Sequence, residues 1–175
     1  MTTTYSARTR RLQIAAWAII LALTVAAVVW LIAKYSPGVP AIAAAAAALG
    51  RELTVPGVAQ TVILTRYARR ATPMPPGEEL SALAAHGSTL VLHLAAQAID
   101  EVVATLAPHY GPDCPAAVVA RASWPDEVVL RGTLATIADA THAAGVRRTA
   151  VILVGPALSA EGFRDSHLYS AERSR

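Results

Sequence analysis

The sequence has little with which to build a disulfide, a metal centre or a nucleic-acid interface. Cys114 is its one cysteine, so no intrachain disulfide can form and no cysteine-rich zinc site can be assembled. The five histidines, at positions 86, 93, 109, 142 and 167, show no His-Glu-x-x-His pattern and no other tight ligand spacing, so no metal is expected. Aromatic residues make up 5% of the chain and charged residues 15%. That supplies neither the stacking platform nor the clustered cationic face of a nucleic-acid binder. No carboxylate precedes residue 36, where Arg8, Arg10, Arg11 and Lys34 stand, whereas all twelve Asp and Glu follow it together with eleven arginines. The net charge of +3 therefore comes from a short N-terminal stretch and not from a basic domain.

Apolar residues are what the chain has in plenty, 54% of it, and they are unevenly spread. Residues 12–33 carry no charge and only Gln13 and Thr24 as polar side chains. As a helix rising 1.5 Å per residue they would reach about 33 Å, enough for a hydrocarbon core of about 30 Å. Trp17, Trp30 and Tyr35 suit an interfacial belt. A single N-terminal membrane helix is expected, with a cleaved signal or a buried core helix as the competing readings. The three arginines before it place the N-terminus in the cytoplasm and everything after residue 35 outside.

Beyond it, Pro37 and Pro40 break the helix and the alanine-rich stretch 41–50 forms a short one, with Gly50 as its C-cap. Strand-like and helix-like segments then alternate. Strands are expected at 61–65, 89–94, 116–120, 127–130 and 149–154, and helices at 77–86, 96–106 and 133–144. Residues 69–77, rich in proline and glycine, read as a loop. The expected fold class is α/β, or α+β, with a mixed sheet.

Several ordered strings carry a resemblance: Pro37-Gly-Val-Pro-Ala-Ile-Ala-Ala, Gly50-Arg-Glu-Leu-Thr-Val-Pro56 and Gln60-Thr-Val-Ile-Leu-Thr-Arg66. Met74-Pro75, Glu79-Leu80, Thr89-Leu-Val-Leu-His-Leu94 and Tyr110-Gly-Pro-Asp-Cys-Pro115 follow in turn. Most specific is Arg121-Ala-Ser-Trp-Pro-Asp-Glu127, then Arg131-Gly-Thr-Leu134, Thr149-Ala-Val-Ile-Leu-Val-Gly155 and Ser166-His-Leu-Tyr169. From Ser36 to Tyr169 the chain resembles the C-terminal half of the precorrin-4 methyltransferases, a branch of the tetrapyrrole methyltransferase family. Pro156 stands where that family usually has an arginine. The resemblance divides the chain into an N-terminal segment 1–35, the family's C-terminal domain 36–169, and a tail 170–175.

The resemblance implies methyl transfer from S-adenosylmethionine to carbon 11 of precorrin-4, in cobalamin biosynthesis. It also implies a two-domain cleft, of which only the second domain is expected here, because residues 1–35 match neither the family's glycine-rich loop nor its Gly-Asp-Pro turn. Weak or absent catalysis by this chain on its own follows. The alternatives are a membrane-anchored binding or scaffold protein that keeps the fold without the chemistry, and a truncated or misjoined fragment of the enzyme. Such enzymes are cytoplasmic and commonly dimerise, so a homodimer is a possible assembly.

By resemblance, Pro40, Ala41, Leu94 and Ala122 contact the cofactor. The substrate is a polycarboxylate, for which arginine forks are the matching partners. Arg66 and Arg121, each at a strand's end, are the candidates, with Gln60 and Thr61 as further contacts. Arg69, Arg70 and Arg131 read as solvated or ion-paired. His93, in an apolar strand, reads as a sheet histidine, and Asp126-Glu127 as a turn or ion-pair element whose members face opposite ways on a strand. No catalytic side chain is assigned, since displacement at a sulfonium methyl needs alignment more than a protein nucleophile.

Overall fold

The computed structural model describes residues 16–28, 40–67 and 73–161. The chain divides into two units, Met1–Val39 and Pro40–Arg175. In the first, residues 16–28 are a helix, α1, exposed along its length. No helix among the described residues is long and apolar enough to cross a membrane. That corrects the expected membrane anchor, the membrane partner and the localisation built on them. Positions 12–15 and 29–33 of the apolar segment lie outside the described residues.

The second unit begins with α2, Ala41–Leu49, which forms because a run of alanines has the highest helix propensity. Gly50, at φ 58° and ψ 37°, ends it in the left-handed conformation and donates its amide to Ala47 O, as expected of a C-cap. Next come β1 (Val62–Arg66), α3 (Leu80–Ala84), β2 (Thr89–His93), α4 (Ile99–Tyr110), β3 (Pro115–Ala120), β4 (Val128–Thr133), α5 (Ile137–Ala143) and β5 (Ala150–Val154). Short 3-10 turns, Ala96–Ala98 and Pro156–Ser159, precede α4 and follow β5.

The five strands make one mixed sheet, ordered β1-β2-β5-β3-β4. β1 and β2 are parallel; β5 lies antiparallel between β2 and β3, and β4 is antiparallel to β3. The central strands read as unbroken apolar runs because both sheet faces are covered. On one face Leu90, Leu92, Val118, Ile152 and Val154 pack against Ile99, Val102 and Leu106 of α4 and Ile137 of α5. On the other, Val91, Ala117, Val119 and Leu153 pack against Ala45 and Leu49 of α2. Each fully buried leucine or isoleucine contributes about 1.5–3 kcal/mol.

Differences from the expected segments have local causes. The 77–86 helix shrinks to α3 because a turn joins Pro75 O to the Glu78 amide, and the Gly77 amide is taken by Glu79 Oε2. The 133–144 helix starts later because Thr133 still pairs with Pro115 in the sheet. Thr149 leaves β5 because its φ is 53°.

Two sheet ends matter for the site. At one lie the last residues of β1, β2 and β3 and the first of β5 and β4, through the pairs Arg66↔His93, His93↔Val151, Ala120↔Ala150 and Ala120↔Val128. This is called the carboxyl end. At the other, Thr89 Oγ1 donates to Leu53 O, shortly after α2. The chain leaving α2 thus arrives at the opposite end, which directs the helix N-terminus, Pro40 and Ala41, toward the carboxyl end.

Candidate functional site

Four non-glycine residues among those described have positive φ: Leu94 (58°), Arg121 (50°), Ser123 (68°) and Thr149 (53°). All four stand at the carboxyl end, just past β2, just past β3, or just before β5. Each costs roughly 1–2 kcal/mol against ordinary backbone, and Thr149, being β-branched, is the least suited. Such residues persist only where surrounding structure holds them, and they concentrate at functional sites. Here the holding is visible: the Arg121 amide donates to Thr149 O at 2.7 Å and the Tyr67 amide to His93 O at 3.0 Å.

Apolar side chains stand open beside this strained backbone. Leu94 is 76% exposed, Trp124 57%, and Leu64, on the α2 side of edge strand β1, 55%. Ala122, half-buried, packs against the core beneath α2, as does Ile42. Of the expected cofactor contacts, Leu94 and Ala122 therefore share one sheet end, and Pro40 and Ala41, both exposed, sit on the helix terminus directed toward it.

The two candidate arginines differ. Arg66 is exposed and lines an open pocket of about 360 Å³ with Tyr67, Met74, Glu78 and Glu79. Arg121 is half-buried, and its Nε is engaged by Asp126, at 2.6 Å to Oδ2 and 3.0 Å to the carbonyl oxygen. Gln60 and Thr61 are not brought to this end. They precede β1 at its far side, where Thr61 O accepts the Thr89 amide at 3.0 Å, about 16 Å away along a five-residue strand. Arg69, Arg70 and the Ser166–Tyr169 string lie outside the described residues.

Asp126 and Glu127 precede β4 instead of alternating within it. Both turn back on the loop, Asp126 onto Arg121 and Glu127 Oε2 onto the Ser123 amide at 2.7 Å. The expected turn and ion-pair role is present, without the opposed facing a strand would impose. His93 is a half-buried strand residue opposite Arg66 and Val151. Arg131 is exposed, as expected, and its Nη2 also donates to Leu49 O at 2.9 Å. Ser123 and Thr149 escaped the sequence reading because only glycine advertises a positive φ.

Perturbed acids lie away from this cluster, at the other sheet end. Burial, reinforced by the neighbouring Cys114, raises the Tyr110 phenol to about 12, against the lowering effect of its bond to Ser88. Burial also raises the Cys114 thiol. The carboxyl end therefore offers apolar surface, strained backbone and arginines.

The family model for tetrapyrrole (corrin/porphyrin) methylases matches residues 26–138. A precorrin-4 C(11)-methyltransferase of Rhodococcus erythropolis is 63% identical over 139 residues, covering 79% of this chain and 56% of that protein. One from Mycobacterium tuberculosis is 64% identical over 138 residues, covering 78% and 55%. The X-ray structure of a cobalt precorrin-4 methyltransferase, a cobalamin biosynthetic enzyme, matches with a TM-score of 0.67 at 42% identity, covering 71% of this chain and 52% of that one. The chain thus spans about half the length of the relatives it matches. By the extent of these matches, the chain belongs to the tetrapyrrole (corrin/porphyrin) methylases.

Proposed function

We propose that this chain supplies one side of the cleft of an S-adenosylmethionine-dependent methyltransferase acting on C-11 of precorrin-4 in cobalamin biosynthesis. One observation carries the reading. The 63% identity to a precorrin-4 C(11)-methyltransferase extends over 139 of the 175 residues, a stretch that necessarily includes Leu94, Arg121 and Ser123. The relatives' activity belongs to chains nearly twice as long as the matched region, so the part proposed for this chain is half of their machinery.

When bound, S-adenosylmethionine supplies an electrophilic methyl group on a sulfonium. The residues at the carboxyl end suit such a ligand. Leu94 holds a large apolar side chain 76% exposed on a left-handed backbone, an arrangement that brings no burial within this chain and is covered when a ligand lies against it. Ala122 offers a small side chain and backbone groups past the end of β3, with β5 between it and β2, and Pro40 and Ala41 close the side at the start of α2. Their shared contribution is alignment, which shortens the approach between reacting atoms without any protein nucleophile. Arg66 and Arg121 take substrate carboxylates, with Arg121 aimed by its Asp126 partner. Gln60 and Thr61, at the far end, would reach only a substrate that extends along the sheet edge.

The reading places the family domain at residues 36–169 with a tail at 170–175. It also favours a homodimer, because exposed Leu64 and Trp124 present apolar surface that a second copy covers; light scattering on the eluted chain measures this. Calorimetry with S-adenosylhomocysteine tests the cofactor assignment. Micromolar binding that Leu94→Asp abolishes supports it, and no heat from the wild-type chain at millimolar ligand sinks it.

A further inference from the structure

We propose that Glu127, seconded by Asp126, is a positioning residue that holds the left-handed turn Arg121-Ala122-Ser123 and so sets how Ala122 meets the cofactor. The inference rests on the reading of Ala122 as a cofactor contact.

The turn is closed locally by the Trp124 amide on Arg121 O at 2.9 Å, yet its backbone is unfavourable for the residues that form it. Arg121 at φ 50° and Ser123 at φ 68° flank Ala122, and neither is glycine, so both relax to negative φ unless tied. Arg121 is tied at three points, by its amide to Thr149 O at 2.7 Å, by its carbonyl, which accepts the Trp124 amide at 2.9 Å, and by its Nε to Asp126. Ser123 is tied once, by its amide to Glu127 Oε2 at 2.7 Å. That bond is charge-assisted, short and directional.

Glu127 is well placed to act as an anchor. Its own amide donates to Trp124 O at 3.1 Å, and the next residue, Val128, is paired with Ala120 in the sheet. The carboxylate thus reaches back from a backbone that β4 has already fixed. Ser123 is exposed, so water would satisfy its amide if the carboxylate were withdrawn. Satisfying a donor is therefore not what this bond adds. It adds one defined orientation of the turn, at the same sheet end as the left-handed residue Leu94, which follows β2 on the other side of β5.

Calorimetric titration of S-adenosylhomocysteine into the full chain, as wild type, Glu127→Gln, Ser123→Gly and the double variant, tests the proposal. Glycine adopts φ 68° without a Cβ clash and so stands in for the tie. Glu127→Gln is expected to weaken binding about tenfold in the Ser123 background, or about 1.4 kcal/mol. In the Ser123→Gly background the same change costs less than about threefold. Equal losses in both backgrounds, or none in either, overturn the inference while leaving the cofactor reading intact. Failure of the wild type to bind overturns that reading and this inference with it. If Glu127→Gln shows no cooperative melt, Glu127→Asp replaces it. Its carboxylate is one methylene too short for Ser123, so the same weakening is expected, and wild-type affinity overturns the inference.

Discussion

Arg131 on β4 donates through Nη2 to the carbonyl of Leu49, at 2.9 Å, and so caps the C-terminus of α2 from across the sheet face. A cation at this position satisfies a carbonyl that the helix cannot and meets the negative end of its dipole. Arg131→Ala should lower stability by about 1 kcal/mol, a modest figure because the side chain is exposed. Urea melts should show a lower midpoint at an unchanged slope. Since α2 carries Pro40 and Ala41, the variant should also weaken S-adenosylhomocysteine. A stable variant with unaltered affinity would mean that α2 is held by its apolar face alone.

Gly155 should not tolerate a side chain. It leaves β5 at φ 148°, and a Cβ there would stand 3.0 Å from Thr89 Cα. Thr89 is itself pinned by its hydroxyl bond to Leu53 O and cannot retreat. Gly155→Ala is expected to cost about 2 kcal/mol or more, from backbone strain and overpacking together. Thermal unfolding checks this, and a melting point equal to wild type would show that the junction has slack.

Alkaline pH should weaken the fold from the end opposite the site. The Tyr110 hydroxyl donates to Ser88 O at 2.6 Å, and burial with the nearby Cys114 moves this phenol from 10.0 to about 12. The Cys114 thiol rises above 9.0 by burial. In both cases the folded chain keeps a proton that the unfolded chain releases. Their contribution is complete below about pH 9 and is lost as pH climbs toward 12. Denaturant midpoints across that window should fall, and Tyr110→Phe should flatten the upper part of the fall while costing about 1 kcal/mol at neutral pH. An unchanged slope in that variant would remove Tyr110 from the account.

Leu94→Gly should separate stability from binding. Leucine there pays about 1–2 kcal/mol for its left-handed backbone and is 76% exposed. Glycine relieves the strain but loses about 0.5–1 kcal/mol to unfolded-chain entropy. The melting point should therefore stay level or rise slightly, while affinity for S-adenosylhomocysteine drops. A clear fall in stability would show that Leu94 is structural.

Much of this was legible in the residues taken in order. The apolar runs after Thr89, Pro115 and Thr149 mark strands covered on both faces, and Gly50 marks the end of α2, because burial and left-handed caps leave local signatures. The ordered strings around Arg121 and Thr149 identify the family. Length alone misled at the N-terminus, since an uncharged run permits a membrane helix without making one, and no helix among the described residues is long and apolar enough to cross a membrane.

Other features arise only once distant segments meet. β5, last in sequence, enters between β2 and β3; this pairing brings Arg121 to Thr149 and places Leu94 close by. Four residues with ordinary side chains accept positive φ because partners on other strands or across a turn hold them, as Glu127 holds Ser123. Gln60 and Thr61 fall at the far end for the same reason: strand direction within the sheet, not position along the chain, decides which end a residue joins. Local composition specifies how a segment is buried, whereas the site is made of backbone that long-range pairing bends against its own preference.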